Sequence, residues 1–444
     1  MVEISPTLVV IIMFGGLLIG VLLGYPLFIV VGGIGMVVGL LTLGMPVFPL
    51  LHLRVLGIFT HYVLLAVPLF VFMGVMVERS GAADRLYGGL YIWFGGLKGG
   101  LAIVTILMGT ILAACVGVII ASISMMALVA LPEMLKRGYR KELASGSICA
   151  GGSLGILIPP SVMLVIYGPM AQISVGKLFM GAFIPGFVLS GLYCSYIALQ
   201  CWLRPELAPP IPVEDRAVPL SKKLTLLVAG VLPPAFIVLS VMGSIFLGIA
   251  TPTEAAAVGC VAAAVLAIAY RQFNLETFKE AALQTMRITA MAMAIGAGSS
   301  MFTGVFLRLG GGEVVSNLVL AAPGGRWGSF AIIMFITFIL GMFIIDIGIV
   351  FIMIPIIKPI VDVLGFDPVW FALMININLQ MSYLTPPFAP AIFFLRGIVL
   401  PEWGIGTVHI IRGVIPYIVI IMIGLGLCVA FPQIILWLPG IMIK

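Results

Sequence analysis

Apolar residues fill this chain in long runs, beginning at residues 8–23 and 26–43 and recurring throughout its length. Each run is long enough to cross the ~30 Å hydrocarbon core of a bilayer or to dip into it. The pattern predicts about ten to twelve spanning helices together with re-entrant pieces. The runs do not alternate polar with apolar positions as barrel strands do, so the fold class is an all-α integral membrane protein and a β-barrel is excluded. Two interruptions break the pattern. Leu157-Ile158-Pro159-Pro160-Ser161 and Leu384-Thr385-Pro386-Pro387-Phe388 lie inside apolar stretches, where each proline removes a backbone donor and clashes with the preceding turn. Backbone groups freed at that depth are tolerated where they line a cavity. Interruptions at matching places in two halves predict broken helices around the substrate and ion sites of a secondary transporter.

The most polar internal stretch, residues 204–223, holds Pro205, Pro209, Pro210, Pro212 and Pro219 with charges of both signs. It reads as a linker between a first repeat half (1–203) and a second (224–444). In the first half Leu131-Pro132-Glu133 leads through Lys136, Arg137, Arg140 and Lys141 to Pro159-Pro160; in the second, Ile354-Pro355 leads through Lys358, Asp362 and Asp367 to Pro386-Pro387. The first connection is basic and the second is not. The positive-inside rule therefore sets them on opposite sides of the membrane, and a repeat with reversed charge bias predicts inverted topology. Within residues 68–97 a short apolar stretch turns at Glu78-Arg79-Ser80-Gly81, and within 295–320 another turns at Arg308-Leu309-Gly310-Gly311-Gly312-Glu313. Both are expected to be re-entrant helical hairpins or, on the plainer reading, loops joining two full helices.

Composition narrows the class further. The chain is 62% hydrophobic and 9% charged, against about 25% charged in soluble domains. Its 53 glycines and 29 prolines suit close helix packing and interrupted segments. Glu3 and the lack of a basic residue before the first apolar run argue against a cleaved signal peptide, so the first helix is expected to be retained. The six cysteines are scattered, without metal or disulfide spacing, and read as small packing residues. A net charge of +6 reflects loop bias and gives nucleic-acid binding no support. His52, His61 and His409 form no ligand pair, and no phosphate loop is present. An enzyme is not expected, and transport must draw on a gradient unless another chain hydrolyses ATP.

Asp346 is the only ionisable side chain between residues 328 and 357, and a carboxylate there is costly unless paired or facing a polar cavity. Beside Gly341 and Gly348 it is expected to ligate a coupling cation or carry a proton, or, on a structural reading, to cap a broken helix. Counting back from Pro132 and Pro355 matches it to Ser122 in Gly117-Val118-Ile119-Ile120-Ala121-Ser122. Small and polar residues from Ser145 to Ser153 continue toward Pro159, and Asn376, Asn378, Gln380, Ser382 and Thr385 precede Pro386. Such residues serve either ligand contact or tight helix packing. The candidate ion ligands are Asp346, Gly341, Gly117, Ser122, Ser153 and Thr385. The candidate substrate contacts are Arg396, Asn376, Asn378, Gln380, Ser382 and Ser161. Arg396 would hold a carboxylate by its fork of donors, or else snorkel. Glu254 in Thr251-Pro252-Thr253-Glu254 is expected in a capped first turn.

At these residues the chain resembles the large membrane subunit of tripartite ATP-independent periplasmic (TRAP) transporters, the DctM-like family. The resemblance is carried by Pro68-Leu69-Phe70-Val71-Phe72-Met73-Gly74, Leu131-Pro132-Glu133-Met134 with Arg137-Gly138-Tyr139, Pro159-Pro160-Ser161 with Tyr167-Gly168, residues 250–259 and residues 341–396, and it covers essentially the whole chain. It implies an elevator-type transporter of the bacterial or archaeal cytoplasmic membrane, driven by sodium. It also implies two partners: a small four-helix membrane subunit and a periplasmic substrate-binding protein. Many members carry a Ser-Gly-Ser-Ser-like run and an acidic residue where this chain has Val116-Gly117-Val118-Ile119 and Ser122, so a carboxylate-based first sodium site does not carry over, whereas Asp346 matches the acidic position of the second half. Residues 379–387 and 394–397 resemble the branch that includes 2-oxo-acid transporters. Sodium-coupled uptake of a small organic anion is the expected function. The alternatives are a self-sufficient sodium/anion symporter of similar architecture and, from another class, a channel or structural subunit.

Overall fold

The structure is a computed structural model and describes residues 4–212, 214 and 218–442. The described residues form helices, without strands, and nine of those helices are long and apolar enough to cross a membrane. The first half comprises α1 (Pro6–Leu22), α2 (Leu27–Leu43), α3 (Val47–Phe59), α4 (Ala66–Arg79), α5 (Ala82–Phe94), α6 (Gly100–Val116), α7 (Ile119–Lys136), α8 (Lys141–Ser153), α9 (Val162–Ala171) and α10 (Val175–Leu203). The second comprises α11 (Leu220–Phe246), α12 (Pro252–Ala269), α13 (Leu275–Arg308), α14 (Gly311–Leu320), α15 (Gly325–Phe343), α16 (Asp346–Leu364), α17 (Pro368–Leu384), α18 (Pro390–Ile398), α19 (Thr407–Ala430) and α20 (Gln433–Ile441). Residues 220–223, read as linker from their charge, form the first turn of α11. Of the remaining linker, residues 213 and 215–217 lie outside the described set, as does Glu3.

The two re-entrant hairpins are α6/α7 and α15/α16. The Tyr139 hydroxyl accepts from the Leu101 amide at 3.1 Å, and Thr105 reaches the Met134 sulfur at 3.9 Å, so α7 returns along α6 from a tip at Gly117-Val118. Likewise the Trp327 and Phe366 rings lie 5.4 Å apart, which folds α16 back along α15 from a tip at Ile344-Ile345. This corrects the sequence expectation of hairpins at 68–97 and 295–320. There the chain does turn, at Gly81 with φ 72° and Gly310 with φ 78°, but the arms diverge: α4 packs on α12 and α13, and α5 packs on α11. Charge next to glycine marked a turn at the protein surface. The true tips are apolar and enter the interior.

The halves interlock about an approximate two-fold. α4 packs on α12 as α13 packs on α2, and α9 packs on α16 as α18 packs on α7. α13 is the counterpart of α3 and α4 fused, the earlier pair being separated by extended His61 and a 3-10 turn at Tyr62–Leu65. α10 measures the span between the two hairpin mouths. A side chain at Gly181 would meet Leu373 and Val369 near the start of α17, and one at Gly99 would meet Cys201 and Ile197. Positions 181 and 201 are ~30 Å apart along a helix, the thickness of the hydrocarbon core. The hairpins therefore open to opposite faces. Between those positions Gly186 abuts Ile158 and Ser190 bonds Thr110 at 2.6 Å, so the first Pro-Pro break lies within the hydrocarbon depth.

Candidate functional site

Each hairpin tip presses on the broken helix of its own half. A Cβ on Gly117 would lie 2.8 Å from the Pro160 carbonyl oxygen; in the second half Phe343 meets Phe388, ring centroids 5.2 Å apart. The peptide bonds Pro159-Pro160 and Pro386-Pro387 are both cis. Between the tips lies a cavity of about 70 Å³, lined by Gly117, Val118, Ile119, Ile345, Asp346 and Tyr383, with Val67 of α4 and Ile288, Met291 and Ala292 of α13 closing it. That space admits an ion with a few waters. Asp346 is its only charged lining residue.

Asp346 is the first residue of α16. Its carboxylate accepts from the Ile347 amide at 2.9 Å, and its own amide donates to the Tyr383 hydroxyl of α17. A carboxylate at a helix N-terminus is held by the dipole and the free amides, and the Tyr383 hydroxyl bonds to it as well, so only part of its lone pairs faces the cavity. On the facing tip, Gly117 is left-handed with φ 63°. Ser122 is buried, donates to the Val118 carbonyl at 3.1 Å, and sits a turn deeper than Asp346 does in its own helix. The pairing of Ser122 with Asp346 is corrected accordingly. One register relates Pro159 to Pro386, Ser153 to Gln380, Pro132 to Pro359 and Ile119 to Asp346, so the counterpart of the carboxylate is an isoleucine. Pro355, used for the sequence count, belongs to the preceding turn of α16.

The polar run of α17 is helical and buried on all sides, but it faces neighbouring helices instead of the cavity. Asn376 donates to the Ile156 carbonyl at 3.0 Å. Gln380 donates to the Ser153 hydroxyl at 3.2 Å and toward the Tyr193 hydroxyl at 3.4 Å. Since residues 153 and 380 are related by the repeat, this bond lies on the pseudo-two-fold itself. On the opposite face Asn378 donates to the Met334 carbonyl at 2.7 Å and the Thr337 hydroxyl at 2.9 Å, bracing α15. Ser382 and Thr385 bond back to Leu379 and Met381, and Ser161 bridges its break to Ile156 at 2.7 Å. Gly341 is a close approach: an added Cβ would lie 2.2 Å from the Ser382 hydroxyl.

Arg396 is exposed at the end of α18 and donates to the Ile405 carbonyl at 2.8 Å, outside the cavity that Asp346 lines. Glu254 and Thr251 form a reciprocal capping box at the start of α12, as their spacing predicts. Tyr383 and the α13 residues were not singled out as site residues. A tyrosine between Ser382 and Thr385 was the available signal for the first; α13 gave none, because its cavity residues are apolar.

A family model described as "Tripartite ATP-independent periplasmic transporter, DctM component" matches residues 10–434. The chain belongs to this family. Among its DctM relatives, the C4-dicarboxylate TRAP transporter large permease protein of Pseudomonas aeruginosa is 29% identical over 86% of this chain and 87% of its own length. The corresponding protein of Rhodobacter capsulatus is 28% identical over 97% and 99%, and the sialic acid TRAP permease SiaM of Vibrio cholerae is 29% identical over 87% and 88%. In fold the chain is similar to the YdaH transporter of Alcanivorax borkumensis, with TM-score 0.57 at 17% identity over 86% of this chain and 88% of that one. As a DctM-family permease it is a multi-pass secondary transporter and not an enzyme.

Proposed function

We propose that this DctM-family chain couples sodium entry to uptake of a small organic anion across the bacterial inner membrane. In this reading it works with a small membrane subunit and a periplasmic binding protein that delivers the anion. One observation carries the proposal: a cavity within the hydrocarbon depth, formed where two oppositely entering hairpin tips meet, with Asp346 as its sole charged wall. A single carboxylate with free lone pairs suits a monovalent cation, and the neutral facing tip adds backbone carbonyls near Gly117. The anion would then approach a site whose charge the cation has balanced. Relatives named for C4-dicarboxylates, sialic acid and isethionate, with others named for ectoine, a carboxylate-bearing zwitterion, support a cargo that carries an acidic group, with a 2-oxo acid among the candidates.

Sidedness follows from charge. Lys98, Lys136, Arg137, Arg140 and Lys141 cluster at the mouth of α6/α7, which the positive-inside rule assigns to the cytoplasm. The mouth of α15/α16 then opens outward. In an elevator mechanism the hairpins and broken helices would travel together, and the Gln380–Ser153 and Asn376–Ile156 bonds would hold the two halves as one body. Reconstituting the chain with its two partner proteins in liposomes tests the coupling. Uptake of the anion bound by the partner protein should require an inward sodium gradient. Equal uptake with potassium replacing sodium on both sides would overturn the proposal.

A further inference from the structure

A second cavity, of about 280 Å³, opens toward the outer mouth and is more polar than the central one. Its walls include Arg54 of α3, Met170 of α9, Ser300 and Thr303 of α13, and Phe351 and Pro355 of α16. The two cavities run along the same pair of helices. On α13, Ala292 lines the central cavity and Ser300 the outer one; on α16, Ile347 lines the first and Pro355 the second. The separation is about two turns, or ~12 Å. Between them the Phe351 ring lies on Gly296, where an added Cβ would come within 2.8 Å of the ring. Ser299 falls on the same face of α13 as Ala292 and Thr303. It is fully buried, and its hydroxyl has no hydrogen-bond partner among the described residues.

Arg54 is the only charged residue in the outer wall. Its stem lies across Gly304, with Cγ and Nε each 3.0 Å from where a Cβ would stand, and the Ser300 hydroxyl fixes its backbone by donating to the Arg54 carbonyl at 3.2 Å. Among the described residues the guanidinium has no acidic partner. A permanently charged fork, left unpaired over two hydroxyl-bearing turns, is suited to a carboxylate.

We propose that the Arg54 cavity is an outer anion-binding station, where the carboxylate group of the cargo is held before it passes Phe351 and Ser299 to the Asp346 cavity. The order of charges makes sense of the route: the cation occupies the acidic inner chamber, and the anion is drawn first to the basic outer one. The inference rests on the proposed uptake of an organic anion. Thiol labelling decides it without reference to sodium or transport, and uptake kinetics add a second readout.

Gly57→Cys, at an exposed wall position of α3 whose Cβ would meet open space, is introduced into the full chain in proteoliposomes. It is then labelled from outside with methanethiosulfonates carrying either a sulfonate or a trimethylammonium group, each rate normalised to its reaction with a free small thiol. Labelling of the parent without Gly57→Cys gives the background from Cys194 and Cys260. The sulfonate reagent should react about tenfold faster after normalisation. Arg54→Gln should abolish that preference and Arg54→Lys should keep most of it. In uptake assays Arg54→Gln should raise KM about three- to tenfold with kcat near that of the parent, and the difference should shrink at high salt. A charge preference that is unchanged in Arg54→Gln overturns the proposal. So does a Gly57→Cys that neither reagent reaches, because the station must open outward. Sodium-independent uptake with the labelling preference intact would refute the coupling and leave the station standing.

Discussion

Replacing Gly117 by alanine probes the contact on which the cavity depends. Two costs combine at this position. The residue is left-handed at φ 63°, which costs a non-glycine residue about 1–2 kcal/mol. The new Cβ would also stand 2.8 Å from the Pro160 oxygen, well inside contact distance, and relieving such overlap in a packed interior costs about 1–3 kcal/mol. Gly117→Ala should therefore destabilise by about 2–5 kcal/mol. Gly138 supplies the control, since it has φ 75° but open space where its Cβ would be, so Gly138→Ala should cost only the first component. Unfolding in mixed micelles by dodecyl sulfate titration gives both values, and the difference isolates the tip-on-loop contact. Because relief of the overlap must move either the tip or the Pro-Pro loop, uptake should fall more than about tenfold in Gly117→Ala, a transition-state loss above ~1.4 kcal/mol, and stay near normal in Gly138→Ala. Equal destabilisation of the two variants would refute the reasoning, because the tip would then not bear on Pro160.

Other consequences are direct. Gly341→Ala should destabilise by about 1–3 kcal/mol through its overlap with the Ser382 hydroxyl; adding Ser382→Ala should recover part of that loss, and strict additivity in the double-mutant cycle would count against the contact. Gln380→Leu removes the donor shared by the Ser153 and Tyr193 hydroxyls at the pseudo-two-fold and should cost about 1 kcal/mol, measured by the same titration. Thr251→Ala removes the cap of α12 and should cost about 1 kcal/mol while leaving the KM for uptake unchanged.

The sequence revealed the broken helices and the carboxylate because each violates a local rule strongly. A proline pair cannot continue a helix, and an aspartate that is the only ionisable residue in thirty positions must have a purpose. The hairpins were not legible because their tips obey no such rule: Gly117-Val118 and Ile344-Ile345 are apolar, and arms of 17 and 18 residues are as long as ordinary spanning helices, so length gave no signal either. The register between halves slipped for a related reason. α16 carries two prolines, Pro355 and Pro359, and only three-dimensional pairing selects the second as the match for Pro132. The amides of α17 were legible as buried polar groups, but their partners on α8, α10 and α15 are remote in sequence. Whether such a residue faces a cavity or braces a neighbouring helix is decided by packing.

On the proposed mechanism the Asp346 carboxylate holds the coupling ion. The most direct measurement is the sodium dependence of uptake in proteoliposomes for the parent, Asp346→Asn and Asp346→Glu, with folding verified by size-exclusion and thermal melting. Asp346→Asn should be folded and show no sodium-stimulated uptake, and Asp346→Glu should retain stimulation with a raised half-saturating sodium concentration. An Asp346→Asn protein whose uptake rises with sodium as the parent's does would contradict the claim.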